Sequence, residues 1–289
     1  MKDFFKFTLA TITGIILTSI VMFVISIIVV FSMLSSTETE TVVKKNSIMM
    51  LDLNGSLVER TSDNIFKELF DKEDSTYGLD DILASIKKAK ENDDIKGIYI
   101  QATSLNANFA SLQEIRDALN DFKKSGKFIV AYSDNYTQGM YYLSSVANKV
   151  LLNPKGAIEW RGLASQPLFL KGLLEKLGIE MQVFRVGTYK AAVERFSATE
   201  MSPANREQVT AYITSIWNEI ITDVAASRKI SVDSLNNYAN RMLMFYPAEQ
   251  TVKSGMADTL IYKNDVRDYL KQLVKIDKMT TLPCWDLMK

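Results

Sequence analysis

Apolar residues are spread along this chain in three ways, and each predicts a different kind of element. Residues 7–37 carry no charge, and positions 15–31 read Ile-Ile-Leu-Thr-Ser-Ile-Val-Met-Phe-Val-Ile-Ser-Ile-Ile-Val-Val-Phe. That run is longer than the roughly 20 apolar residues needed to span a bilayer as a helix. It also exceeds the short apolar core of a cleaved signal peptide, so a retained anchor is predicted. Lys2 and Lys6 precede it while Glu38 and Glu40 follow. This bias puts the N-terminus in the cytoplasm and the body on the far side, and Lys44 and Lys45 weaken the argument without reversing it.

After a polar stretch at 35–46, short apolar runs alternate with amphipathic segments. Residues 48–53, 98–102, 128–132, 150–152 and 181–186 read as strands. Over 111–123, Leu112, Ile115, Ala118, Leu119 and Phe122 form one stripe, and Ser111 with Glu114 makes a capping box. Further helices are predicted over 79–90, 141–147 and 169–177, the last ended by Gly178. Ser202 and Pro203 supply an N-cap and a first-turn proline for a helix reaching about residue 227. Ser231 caps another, with Leu235, Tyr238, Ala239 and Met242 on one face. Such alternation predicts the α/β class, a mostly parallel sheet with flanking helices. No linker-like stretch or repeat after residue 46 marks a second boundary. Residues 282–287, Leu-Pro-Cys-Trp-Asp-Leu, fit neither a capped helix nor a polar tail and read as the start of a linker.

Composition narrows the chemistry. The 34 basic and 34 acidic residues cancel, which removes the electrostatic footprint of a nucleic-acid binder. With no histidine, the chain cannot assemble a Ser-His-Asp triad, a Cys-His pair or a histidine-ligated metal site. Cys284 is the single cysteine, so an internal disulfide and thiolate metal clusters are excluded. No cofactor or metal is expected.

Without histidine, the side chain best suited to accept a proton near neutral pH is a lysine whose ammonium is disfavoured by burial or a nearby cation. Lys87, Lys88, Lys123 and Lys124 lie on polar helix faces and are predicted to be solvated. Lys190 differs, because it follows the predicted strand 181–186 and has small neighbours in Val186-Gly187-Thr188-Tyr189-Lys190-Ala191-Ala192-Val193. On the residues alone, a loop lysine reaching water is the commoner outcome. Glu194 and Arg195 read as partners for that loop or as a weak surface pair.

The stretch Gly187-Thr188-Tyr189-Lys190-Ala191-Ala192-Val193-Glu194-Arg195-Phe196 resembles the lysine motif of the long-form signal peptide peptidase A family, bacterial membrane-anchored serine proteases with a Ser-Lys dyad. The likeness extends over about residues 45–275. It includes 48–53 with Gly55, Gly97-Ile98-Tyr99-Ile100, the run from Tyr132 through Ser133, Asp134, Asn135, Tyr136, Thr137, Gln138 and Gly139 to Leu143, and Tyr246-Pro247-Ala248-Glu249-Gln250. The resemblance implies a crotonase/Clp-protease-like fold with two related halves, the lysine coming from the first and the serine from the second. It assigns Lys190 as general base, and implies signal peptides or short membrane-associated peptides as substrates. A homo-oligomer, a tetramer in the family, and the inner membrane with the body on the outer side follow from the same likeness. The chain then divides into a tail and transmembrane anchor at 1–34, a tether at 35–46, an N-terminal peptidase-like domain at 47–275, and a C-terminal tail or truncated linker at 276–289.

One departure qualifies the match. Gln138 stands where single-half relatives place the nucleophile, and an amide cannot attack a carbonyl. Thr137 is a poor substitute, and Ser144 and Ser145 fall further into a helix, where packing is the expected role. Ser133, Asp134 and Asn135 are expected to cap that helix, with Tyr141 and Tyr142 as core or rim aromatics. Three functions stay open: a protease half completed by a serine-bearing partner, a membrane-anchored scaffold that oligomerises, and an acyl-coenzyme A enzyme of crotonase type, which the anchor and lysine motif oppose. The anchor is tested directly by carbonate extraction and protease protection. The expected outcome is retention in the membrane pellet with the body cleaved from outside; release by carbonate would overturn it.

Overall fold

The computed structural model describes residues 2–35, 43–61, 76–274 and 280–283. Cys284, Trp285 and most of the expected tether lie outside these residues. Two compact units are present, one ending at Val42 and one from Val43 onward. The first is helix α1, Lys2–Ser35, long and apolar enough to cross a membrane. Thr8, Thr11, Thr13, Thr18 and Ser26 turn their hydroxyls back onto carbonyls four residues earlier at 2.8–2.9 Å. These polar groups are therefore satisfied inside the helix, as a lipid environment demands.

The second unit is built on strands β1 (Ser47–Val58), β2 (Thr76–Gly78), β3 (Ile95–Asn106), β4 (Phe128–Ser133), β5 (Lys149–Leu152), β6 (Thr259–Leu260) and β7 (Thr280–Pro283). Their order is β2-β1-β3-β4-β5-β6, with β7 also on β1, and every pairing is parallel. Parallel strands need covered faces, which explains the nearly continuous apolar runs. Alternation then sorts the side chains. Met49, Leu51, Leu53, Ile98, Ile100, Ile129, Ala131, Val150 and Leu152 enter the larger core. Ile48, Tyr99, Val130, Tyr132 and Leu151 face the smaller one, packed with Val266 and Leu270.

The helices are α2 (Leu79–Glu91), α3 (Phe109–Lys123), α4 (Gln138–Ser144), α5 (Lys171–Lys176), α6 (Glu194–Ser197), α7 (Pro203–Arg228), α8 (Val232–Asn240), α9 (Ala248–Lys253) and α10 (Lys263–Val274). Ser202 and Ser231 cap α7 and α8 through Asn205 N and Ser234 N, as their sequence predicts. The capping box at Ser111 does not form. Asn108 caps α3 instead, accepting from Ser111 N at 2.8 Å, and the longer helix brings Phe109 edge-on to Tyr142 at 6.2 Å. Helix α4 begins at Gln138 rather than 141, capped by Thr137. Ser133 and Asp134 are bonded within their own turn and to Tyr132 and Asn153. Lys123 is not a freely solvated lysine either: its ammonium donates to Val146 O at 2.8 Å, and partial burial lowers its pKa.

The expected strand at 181–186 is absent. These residues run as irregular chain, with Phe184 94% and Val186 90% exposed. Their apolar alternation suits a sheet, but no described strand lies beside them.

A buried guanidinium joins three helices. Arg116 of α3 is 1% exposed, donates to Tyr142 O and to Ser145 Oγ (2.8 Å), and reaches Asp223 O (2.9 Å) and Ser227 Oγ (2.6 Å) on α7. It also lies 4.8 Å from the Tyr142 ring centroid, and the Tyr142 hydroxyl donates to Asp223 Oδ2 at 2.6 Å. Arg116→Ala removes all these donors at once and should destabilise the body by roughly 3 kcal/mol or more. Urea unfolding followed by tryptophan fluorescence measures it, and a midpoint like that of the parent would refute the hub role.

Candidate active site

The head of α4 is where the nucleophile of a serine peptidase of this type is expected, and Gln138 occupies it. That residue is 7% exposed, and both ends of its amide are bonded. Oε1 accepts from Arg161 N (3.0 Å) and Gly162 N (2.9 Å), while Nε2 donates to Gly162 O (3.0 Å). Gly162 has φ +82°, a conformation that side-chain-bearing residues resist, and it turns the loop so that two successive N–H groups meet one amide. Tyr136, Tyr141, Trp160 and Trp217 pack in series at centroid spacings of 6.0, 5.7 and 5.1 Å, the first two pairs T-shaped and the last tilted at 45°. Tyr141 and Tyr142 are core residues, as are Ser144 and Ser145. The Ser144 hydroxyl has no hydrogen-bond partner among the described residues.

Lys190 takes the loop setting that its residues alone made the commoner outcome, without the strand expected just before it. It is exposed, on the loop between Gly187 (φ +100°) and the short 3-10 turn Ala191–Val193. Among the described residues its ammonium has no hydrogen bond or ion pair. It opens onto a shallow cavity of about 510 Å³ lined also by Phe184, Tyr189 and Gln208. No described contact joins Lys190 to Gln138.

Glu194, read either as a partner for the lysine loop or as half of a weak surface pair, is 4% exposed and accepts several hydrogen bonds. Oε1 accepts from Ser202 Oγ (2.6 Å) and Arg185 Nη1 (3.4 Å), and Oε2 from Ser202 N (3.2 Å) and Asn205 Nδ2 (2.9 Å). The Ser202 hydroxyl, above all, holds its pKa below the usual carboxylate range. Arg195 stacks its guanidinium on Phe196 at 5.3 Å.

A second polar recess of about 220 Å³ opens at the carboxyl ends of β3 and β4, between Gln101, Thr103, Asp134 and Lys263. The Tyr132 hydroxyl donates to Asp134 Oδ1 at 2.6 Å, and burial with that carboxylate pushes the phenol up to about 12. Tyr132 in turn lowers the Asp134 carboxyl.

The class is a parallel α/β body with flanking helices, and comparison with known proteins identifies its family. Residues 121–277 match the model of peptidase family S49, and the chain belongs to that family. Among curated relatives, Protease 4 of Salmonella typhi is 35% identical over 248 residues, 81% of this chain and 38% of that protein. Protease 4 of Haemophilus influenzae is 30% identical over 231 residues, 76% of this chain and 37% of its own. This chain thus spans a little over a third of the length of those relatives. Among solved structures, a 1510-N membrane-bound stomatin-specific protease mutant is 13% identical with a TM-score of 0.46, over 83% of this chain and 97% of that one. A likeness that loose carries no further argument.

Gln138 is held by its environment, which gives a direct test. In Gln138→Ala, Arg161 N and Gly162 N lose their acceptor, and a loss of about 1–3 kcal/mol is expected. Hydrogen exchange at residues 161 and 162 should rise in parallel. Unchanged protection there would show that the amide contributes nothing to the loop.

Proposed function

We propose that this chain is one half of a membrane-anchored, signal-peptide-peptidase-type serine endopeptidase. Lys190 is its general base, and the serine comes from a second half or partner. The observation that carries the reading is the contrast between two positions. Gln138, at the helix head, is bonded to the 161–162 backbone and cannot attack, whereas the Lys190 amine, without a partner among the described residues, lies at an open cavity. Family membership supplies the chemistry. The lysine would take the proton from the incoming serine hydroxyl and return it to the leaving amine as the peptide C–N bond breaks.

Substrates in this reading are cleaved signal peptides or short membrane-associated peptides. They are met near the bilayer in which α1 is anchored, on the outer face of a bacterial inner membrane. The arm at 168–189 supports assembly. Leu168, Leu173, Leu177, Phe184, Val186 and Tyr189 are each more than half exposed, an apolar patch of the kind that marks a protein contact. That patch also favours the second reading, a membrane-anchored scaffold that only oligomerises; a tetramer is the family's form.

Peptide hydrolysis by the chain joined to a serine-bearing second half separates the two. Lys190→Ala should cost a factor of roughly 10² to 10⁴ in rate, and Lys190→Arg should fail too, since guanidinium cannot accept the proton. Circular dichroism controls for folding, and the isolated chain should remain unlabelled by a fluorophosphonate. Near-normal turnover by folded Lys190→Ala would leave the scaffold reading in front.

A further inference from the structure

The carboxylate of Glu194 is placed to hold the Lys190 loop without neutralising its lysine. All its described partners belong to two places, the head of α7 (Ser202 and Asn205) and the arm just before the loop (Arg185). The Arg185 guanidinium also approaches Lys190 O at 3.5 Å, so it bridges the lysine's own carbonyl and the Glu194 carboxylate. Between Lys190 and Glu194 lies only the Ala191–Val193 turn, and α6 follows immediately with Ala198 N bonded to Glu194 O at 2.8 Å. Anchoring Glu194 to the 26-residue α7 therefore fixes the backbone that carries Lys190.

The arrangement leaves the amine without an acidic partner among the described residues. A carboxylate paired with the ammonium would favour the protonated form and oppose proton uptake. Here the acid's oxygens are committed to Ser202, Asn205 and Arg185, and among the described residues no ion pair joins Glu194 to Lys190. A lysine stem is rich in rotamers, so a fixed backbone is where its placement can be set in advance.

We propose that Glu194 is a positioning residue for Lys190, clamping the 187–193 loop to the head of α7 while leaving the amine unpaired. The proposal rests on the reading of Lys190 as general base. Its first test needs no partner: hydrogen exchange on the full chain in detergent. Glu194→Ala should speed exchange across 187–197 by about tenfold or more while β3, β4 and β5 keep their protection. Glu194→Gln keeps the shape and one acceptor oxygen, and should show a smaller rise. Unchanged exchange in Glu194→Ala overturns the clamp whatever the activity.

The second test uses the chain joined to its serine-bearing half. Glu194→Ala should lower kcat by roughly tenfold or more with KM within about twofold, and Glu194→Gln should recover part of the loss. Loosened exchange with unchanged kcat, in a protein that Lys190→Ala inactivates, overturns the positioning role. Full turnover by Lys190→Ala would instead fail the underlying base reading and withdraw the proposal with it. That case is told apart because it is read on the lysine variant alone.

Discussion

A guanidinium sealed from water decides where three helices stand. Burying an unpaired charge is prohibitive, so Arg116 is tolerable only if Tyr142 O, Ser145, Asp223 and Ser227 all converge on it. That requirement couples α3, α4 and α7 more tightly than apolar contact does, because packed hydrocarbon can slide and a five-donor fork cannot. The Gln138 end of α4 and the Ser202 end of α7 are thus two tips of one cross-braced frame.

Much of the sheet was legible because parallel strands buried on both faces write dense apolar runs, as in Ile48-Met49-Met50-Leu51. The short strands Thr76–Gly78, Thr259–Leu260 and Thr280–Pro283 were not, since two to four residues carry no period. Helix starts were readable where a serine stood before a proline or before an isolated stripe. They failed where two candidate caps lay within one turn. Asn108 prevails over Ser111 because the earlier start also buries Ser111 and places Phe109 against Tyr142.

The site shows a sharper limit. Lys190 and Gln138 were singled out by motif and resemblance, but the bonds that hold Gln138 were not legible, because Arg161 and Gly162 lie more than twenty residues along the chain. Arg116 was invisible for the same reason, and Glu194 was weighed only as a partner for the loop or as half of a weak surface pair. Charged residues in amphipathic segments are assigned to water by default, and only tertiary contacts reveal the two that are buried. Composition offered one signal that held throughout. Without histidine, polar work in the interior falls to Arg, Tyr, Gln and Glu.

The segment at 181–186 has a consequence for the life of the molecule before any chemistry. A run patterned for a sheet, with Phe184 and Val186 almost fully in solvent, is adhesive to any extended chain it meets. Until it is covered, it is the feature a quality-control chaperone or protease would recognise first. An excess of chains in which the arm stays bare would be prone to clump.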